Sequence, residues 1–186
     1  MKIVDKIEPL LITTQLPIFG FDISSKTEEL TYALKAIEEL KLSNPEKRTS
    51  NVMGEWLSPK DSHLINSNLT PLCKLVTNIC SQIWRDLYNN GQGNFQDDFY
   101  IWQCWCVEYG NGGFAESHNH LPTFFASVAY LDTDDNSSPI IFGDNSALPC
   151  IKNSLYIFPG ILQHSVPLNK GKRKIVAMNI LKNNPI

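Results

Sequence analysis

The residues most able to do chemistry are three of the four histidines in the chain. His118 and His120 are separated by one residue, Asn119. On an extended strand, residues i and i+2 face the same side. Two imidazoles can then approach one metal ion from one direction. Imidazole suits this role because its neutral nitrogen is a borderline base available at neutral pH. A third ligand has to come from a separate strand beside the first. His164 follows the strand-like run Leu155-Tyr156-Ile157-Phe158-Pro159 and precedes Ser165-Val166-Pro167, so it is placed to be that ligand. His63 lies in the polar stretch after Pro59-Lys60-Asp61-Ser62 and reads as a surface residue.

Arg173 adds a second kind of chemistry. It lies in Lys170-Gly171-Lys172-Arg173-Lys174-Ile175-Val176, one turn beyond the His164 strand. If it points along the same sheet face, its planar fork can take a carboxylate in bidentate fashion. A metal held by three protein groups on one face keeps open positions. Together these features suit a carboxylate cosubstrate that chelates the metal at one end and meets the arginine at the other. A carboxylate such as Glu116 or Asp144 is the alternative to His120 as a ligand, and a two-histidine site is a further one.

Positioning these residues requires strands from distant parts of the chain. Residues 7–23 mix β-formers with Pro9, Pro17 and Gly20, which suits one or two short edge strands. Such an edge permits dimerisation without requiring it. A helix is expected from Ser24-Ser25 to Asn44-Pro45, because Leu30, Leu34, Ile37 and Leu40 recur at helical spacing. A second is expected over 67–89, with Leu72, Leu75, Val76, Ile79, Ile83, Trp84 and Leu87 forming one apolar stripe. After residue 98 the pattern turns to strands, at 99–109, 123–132, 139–142, 153–158 and 173–181. The sequence is therefore expected to form a single α+β domain over 1–186. Residues 1–98 would be mainly helical support, and 99–186 a jelly-roll, cupin-like metal-binding core. Alternation puts Trp102, Cys104 and Cys106 on one face of the first long strand, and Gln103, Trp105 and Val107 on the other. The same parity, extended, sets Phe124 with Tyr130 toward the pocket. The loop Asn51–Ser58 and the turn Asn111-Gly112-Gly113 are the expected lids.

Composition excludes several classes. The chain has 186 residues, 42% hydrophobic and 19% charged, with net charge −3. This is an ordinary globular composition with no basic nucleic-acid footprint. No apolar run approaches the roughly 20 residues that span a bilayer, and the charged start Met1-Lys2-Ile3-Val4-Asp5-Lys6 does not suit a signal peptide. The expectation is a cytoplasmic protein. The five cysteines, 73, 80, 104, 106 and 150, contain no CxxC pair and read as small buried thiols. The run Asp132-Thr133-Asp134-Asp135-Asn136 lacks the Gly and distal Glu of a calcium loop and reads as a solvated turn.

Three stretches together resemble the iron(II)- and 2-oxoglutarate-dependent oxygenases. One runs from Glu108-Tyr109-Gly110 through His118-Asn119-His120 to Ser127-Val128-Ala129-Tyr130-Leu131. The next runs from Leu155 through Pro159, His164-Ser165-Val166-Pro167 and Arg173 to Asn179. The third, weaker one is Ser50-Asn51 to Trp56 with Ser58. The sequence is similar in particular to an oxygenase family of marine bacteria and phages, and more distantly to prolyl hydroxylases. The resemblance implies a double-stranded β-helix and a bacterial or phage-infected cytoplasm. It implies an Fe(II) enzyme that uses 2-oxoglutarate and O2 to hydroxylate a C–H bond of a small molecule or peptide, with ascorbate as a stimulant. It implies His118 and His164 as the two motif histidines, with His120 as a metal ligand where the wider superfamily has Asp or Glu. Arg173 and Tyr130 would hold the far carboxylate of 2-oxoglutarate, and Tyr109 would line the same pocket. Ile175 stands where a serine often follows the arginine.

Two other classes fit three histidines. A cupin-type dioxygenase or isomerase, or a zinc hydrolase, would have no required role for Arg173. A non-catalytic jelly-roll binding module would need no exchangeable metal. The substrate is not legible in the sequence.

Overall fold

The computed structural model describes residues 15–46, 50–88, 99–143 and 145–183. The expected strands before residue 15 and the candidate ligand Asp144 lie outside the described residues. Strands β1 (Phe19–Asp22), β2 (Val52–Met53) and β3 (Trp56–Leu57) come from the N-terminal half. They join β4 (Phe99–Glu108), β5 (Phe114–His118), β6 (Phe125–Thr133), β7 (Ile140–Phe142), β8 (Ala147–Leu148), β9 (Ser154–Pro159), β10 (His164–Val166) and β11 (Arg173–Lys182). Two antiparallel sheets result. The larger has the order β1-β9-β6-β11-β4-β3 and the smaller β2-β5-β10-β7-β8. Helices α1 (Thr27–Ser43), α2 (Ser62–Ile65) and α3 (Thr70–Tyr88) complete an α+β fold with a double-stranded β-helix core.

Each long strand of the larger sheet serves two cores. One side meets the helices: Ile37 and Leu40 of α1 and Leu72 and Val76 of α3 pack with Cys104, Cys106, Ala129, Ile157 and Met178. The other side faces the smaller sheet, where Trp105, Val107, Val128, Tyr130 and Ile175 pack with Phe142 and Val166. Because both faces are covered, β6 reads as a nearly continuous apolar run. Each fully buried aliphatic or aromatic side chain contributes about 1.5–3 kcal/mol. α1 is also tied to the sheet by ions. Lys41 and Lys174 reach Glu108 at 2.5 and 2.7 Å, and Lys174 reaches Glu38 at 2.8 Å.

The five cysteines are buried free thiols. In the acidic turn, the Asp134 carboxylate accepts from the backbone amides of Asn136 and Lys172, both at 2.9 Å. The acid thus both closes the turn and ties it to the connection between β10 and β11. Among the described residues, no helix is long and apolar enough to cross a membrane.

Candidate metal centre and anion pocket

His118 ends β5 and His164 begins β10, and the two are direct cross-strand partners in the smaller sheet. Chain separation hides this neighbourhood; antiparallel pairing creates it. His120 lies past the end of β5, so strand alternation is not what aims it. A turn does. The His120 amide donates to Gly160 O at 2.7 Å, and Thr123 returns its amide and hydroxyl to His120 O at 2.9 and 2.6 Å. The Gly160 amide donates to Phe124 O at 3.0 Å.

Gly160 has no room for a side chain. An added Cβ would strike Thr123 O and Oγ1. Gly160→Ala must therefore push the 120–123 turn off the β9–β10 connection. We expect metal affinity to fall about 10–100-fold, the usual cost of losing outer support for a ligand. Unchanged affinity in a zinc titration of the folded variant would refute this role.

One ligand nitrogen from each of His118, His120 and His164 lies within 4.8 Å of the other two. The ring centroids are 4.4–5.0 Å apart. His120 Nε2 and His164 Nε2 approach to 3.2 Å. The Nδ1 atoms of His118 and His164 face Glu116 O at 2.7 Å and Leu162 O at 2.9 Å, so Nδ1 carries the proton and Nε2 is left with a free lone pair that could bind a metal. Burial lowers all three pKa values. Crowding by the other histidines adds to this and brings His120 to about 3 and His164 to about 4. The imidazoles are neutral at pH 7, as metal ligands must be. Among the described residues this is the cluster of three that could hold a metal, and it includes no carboxylate. Glu116 contributes only its backbone oxygen to the site, and His63 stands apart on α2.

Arg173 begins β11 in the opposite sheet, so it faces His164 across the interior rather than along one sheet face. It is 3% exposed. Its Nη2 donates to Tyr130 Oη at 3.3 Å, and its guanidinium carbon lies 4.3 Å from the Tyr109 ring centroid and 5.3 Å from that of Tyr130. Nε and Nη1 have no hydrogen-bond partner, and no carboxylate pairs with Arg173 among the described residues. Burial opposes its charge, but the facing Tyr109, Tyr130 and Cys150 outweigh that and the guanidinium stays charged. Cys150 is a neighbour that nothing in the spacing of the sequence announced.

A cavity of about 40 Å³ between the sheets is lined by the three histidines, Arg173, Tyr109, Ile175 and Phe158, among others. It has room for a few waters. A five-carbon diacid would enter only if side chains between the sheets turned aside. The cavity's histidine end adjoins a larger mouth of about 600 Å³ that shares His118, His120 and Trp105 with it. Asn51, Val52, Leu57 and Ser58 line this mouth, but as a fixed wall rather than the expected loop lid, because β2 pairs with β5 and β3 with β4. Gly110 and Asn111 instead line a separate pocket at the Arg173 end, and Gly112 and Gly113 are bonded to Asn169, so that turn is no lid over the mouth. Phe124 also departs from expectation. It packs on Trp84 and Phe99 at 5.3 and 5.5 Å, on the helix side, because β6 begins only at Phe125 and the turn before it resets the alternation.

No protein-family model matches the chain, and no curated protein matches its sequence. Solved structures match in fold. A Pseudomonas putida prolyl-4-hydroxylase aligns at TM-score 0.59 and 14% identity, over 89% of this chain and 93% of that one. The non-heme alpha ketoglutarate dependent epimerase SnoN from nogalamycin biosynthesis aligns at TM-score 0.65 and 11% identity, over 89% and 77%. The viral collagen prolyl hydroxylase of Paramecium Bursaria Chlorella virus-1, solved as a 2-oxoglutarate complex, aligns at 0.56 and 14%, over 88% and 94%. At these identities the likeness is one of architecture: the chain has the double-stranded β-helix fold of the 2-oxoglutarate–Fe(II) oxygenases.

Proposed function

We propose that this protein is an Fe(II)- and 2-oxoglutarate-dependent dioxygenase acting on a C–H bond of its substrate, with hydroxylation as the reaction. The observation that carries the reading is Arg173. It is a buried, charged guanidinium with two unpartnered nitrogens and no counter-ion among the described residues, in the same cavity as three neutral imidazoles. A buried cation left unpaired is costly. A dicarboxylate that spans from the histidines to the arginine would remove that cost. SnoN, an epimerase of the same fold, leaves the outcome at the substrate carbon to the pocket rather than to the fold.

The donor set fits iron: three borderline nitrogens, neutral at pH 7, with no protein ligand holding the remaining positions. His118, His120 and His164 would hold the ion, which would supply oxygen activation coupled to decarboxylation of 2-oxoglutarate. The chain's own part is binding and orientation. Arg173 and the Tyr130 hydroxyl would take the far carboxylate by charge-assisted hydrogen bonds, and the Tyr109 ring would hold the guanidinium flat against it. The aromatic and aliphatic wall of Trp105, Phe158, Val166 and Ile175 would keep water from the site. With Ile175 in place of a hydroxyl, Arg173 and Tyr130 bear that grip alone. A cytoplasmic location accords with this chemistry.

The test is succinate formation from 2-oxoglutarate by the Fe(II)-loaded protein with ascorbate, with and without O2. Slow substrate-free turnover that requires both iron and O2 is the expected result. An iron-loaded wild type that forms no succinate, with or without candidate substrates, would sink the reading. A zinc hydrolase or cupin isomerase would leave Arg173 without a task, which favours the oxygenase.

A further inference from the structure

Above Arg173, Ile175 and Ala177, the inward row of β11 ends in an amide. Asn179 is the direct cross-strand partner of Gln103 on β4. Both line the mouth together with His118 and His120. Asn179 Nδ2 donates to Gln103 Oε1 at 2.8 Å. Asn179 is 6% exposed, and its Oδ1 has no hydrogen-bond partner. A buried amide oxygen without a donor is destabilising, and an apolar residue like those one rung below would have filled the wall without that cost. Oδ1 is closed off from the mouth as the side chain stands. A ligand would meet it by turning the Asn179 amide toward the mouth that this residue lines, and the unmet acceptor points to such a ligand. The Gln103 amide nitrogen is the donor that accompanies it. Exchanging the ends of both amides reverses the roles and still leaves one donor and one acceptor.

A flat ligand that meets both amides at once presents N–H and C=O on the same side; a hydroxyl also donates and accepts but offers no such edge. Primary carboxamides and cyclic amides offer one. A trans peptide bond points the two in opposite directions. We propose, resting on the oxygenase reading above, that Gln103 and Asn179 read such an amide edge. The substrate is then a carboxamide or a cyclic amide (a lactam, imide or pyrimidinone ring) rather than an ordinary stretch of peptide backbone. The edge docks beside His118 and His120 and so fixes which carbon of the substrate faces the metal.

The experiment follows the side-chain amide resonances of Gln103 and Asn179 in the full, Zn(II)-loaded chain. Two probes are titrated: thymidine, with a cyclic amide edge, and N-acetylglutamine, with a carboxamide. The controls are N3-methylthymidine and glycylglycine. One probe should shift both resonances, and its source class is then assigned. For thymidine, N3-methylation should weaken binding at least about tenfold; glycylglycine should leave the resonances in place. Gln103→Leu and Asn179→Leu should each weaken the binding probe by a similar factor, read by competition or calorimetry on variants with wild-type circular dichroism. If Asn179→Leu does not fold, Gln103→Leu alone decides. The idea is overturned if neither probe shifts the resonances at millimolar concentration, if glycylglycine binds as well, or if Gln103→Leu binds as wild type does. Binding is read without turnover. A protein that binds a probe but forms no succinate therefore contradicts the oxygenase reading and leaves the amide reading standing.

Discussion

Arg173→Met is expected to make the metal-free protein more stable and to cost it 2-oxoglutarate. The wild-type guanidinium is 3% exposed, and two of its nitrogens lack partners. Replacing a poorly paired buried charge by an apolar side chain of similar length is often stabilising by about 1–4 kcal/mol. In a chain of 186 residues each kcal/mol moves the thermal midpoint by about 2–4 °C. Cosubstrate binding should move the other way. Hydrogen bonds to a charged group contribute about 1.5–3 kcal/mol each, so losing a bidentate grip should raise the KM for 2-oxoglutarate about 100-fold or more. The same reasoning requires 2-oxoglutarate with a metal to raise the wild-type midpoint by mass action, and to do so far less in the variant. Calorimetry and succinate kinetics check both halves. A variant with unchanged KM for 2-oxoglutarate would remove Arg173 from the cosubstrate site.

Which parts of this were legible follows from how local each signal is. The split of Trp105 and Val107 from Cys104 and Cys106 is readable because β4 alternates without a break there, and each side meets a different core. Trp102 departs from it: the pairing with β11 shifts register between Gln103 and Ile101, and Trp102 lines the mouth beside Gln103 instead of following Cys104. The helices are readable because Leu30, Ile37, Leu72 and Val76 repeat at the period of a helix that buries one stripe. Alternation fails wherever a turn intervenes. Phe124 precedes its strand and goes to the helices, and His120 follows its strand and is aimed by Thr123 and Gly160 instead. Connectivity between sheets is the other hidden quantity. His164 and Arg173 are close in sequence yet sit on opposing sheets, so the cavity between them is a property of closure that no window of sequence contains. The open amide oxygen of Asn179 is hidden for the same reason, since only the partner strand reveals what it does and does not bond.

His164→Ala is expected to lower metal affinity more than about 100-fold, beyond what loss of outer-shell support alone costs. It is the most buried of the three histidines at 6% exposure, and Leu162 O fixes its tautomer at 2.9 Å. His120→Ala should cost a comparable factor, whereas His120→Asp should keep the metal, because a carboxylate completes the commoner facial set of two imidazoles and one acid. The metal-free protein gives an independent reading. An unfolded histidine takes up a proton near pH 6.5, while burial and crowding hold His164 down to about 4 and His120 to about 3. Between those values the unfolded chain binds more protons than the folded one, so stability rises with pH there and falls as pH drops below 6.5. Removing either imidazole should flatten that slope in urea titrations at pH 5 and 7. Bound zinc should steepen the loss of stability on acidification, since each ligand must then compete with a proton. If His120→Ala kept both wild-type metal affinity and the wild-type slope, position 120 would leave the metal site. The mouth would then be lined by a histidine with no assigned task, and a two-histidine centre would replace the three-histidine one.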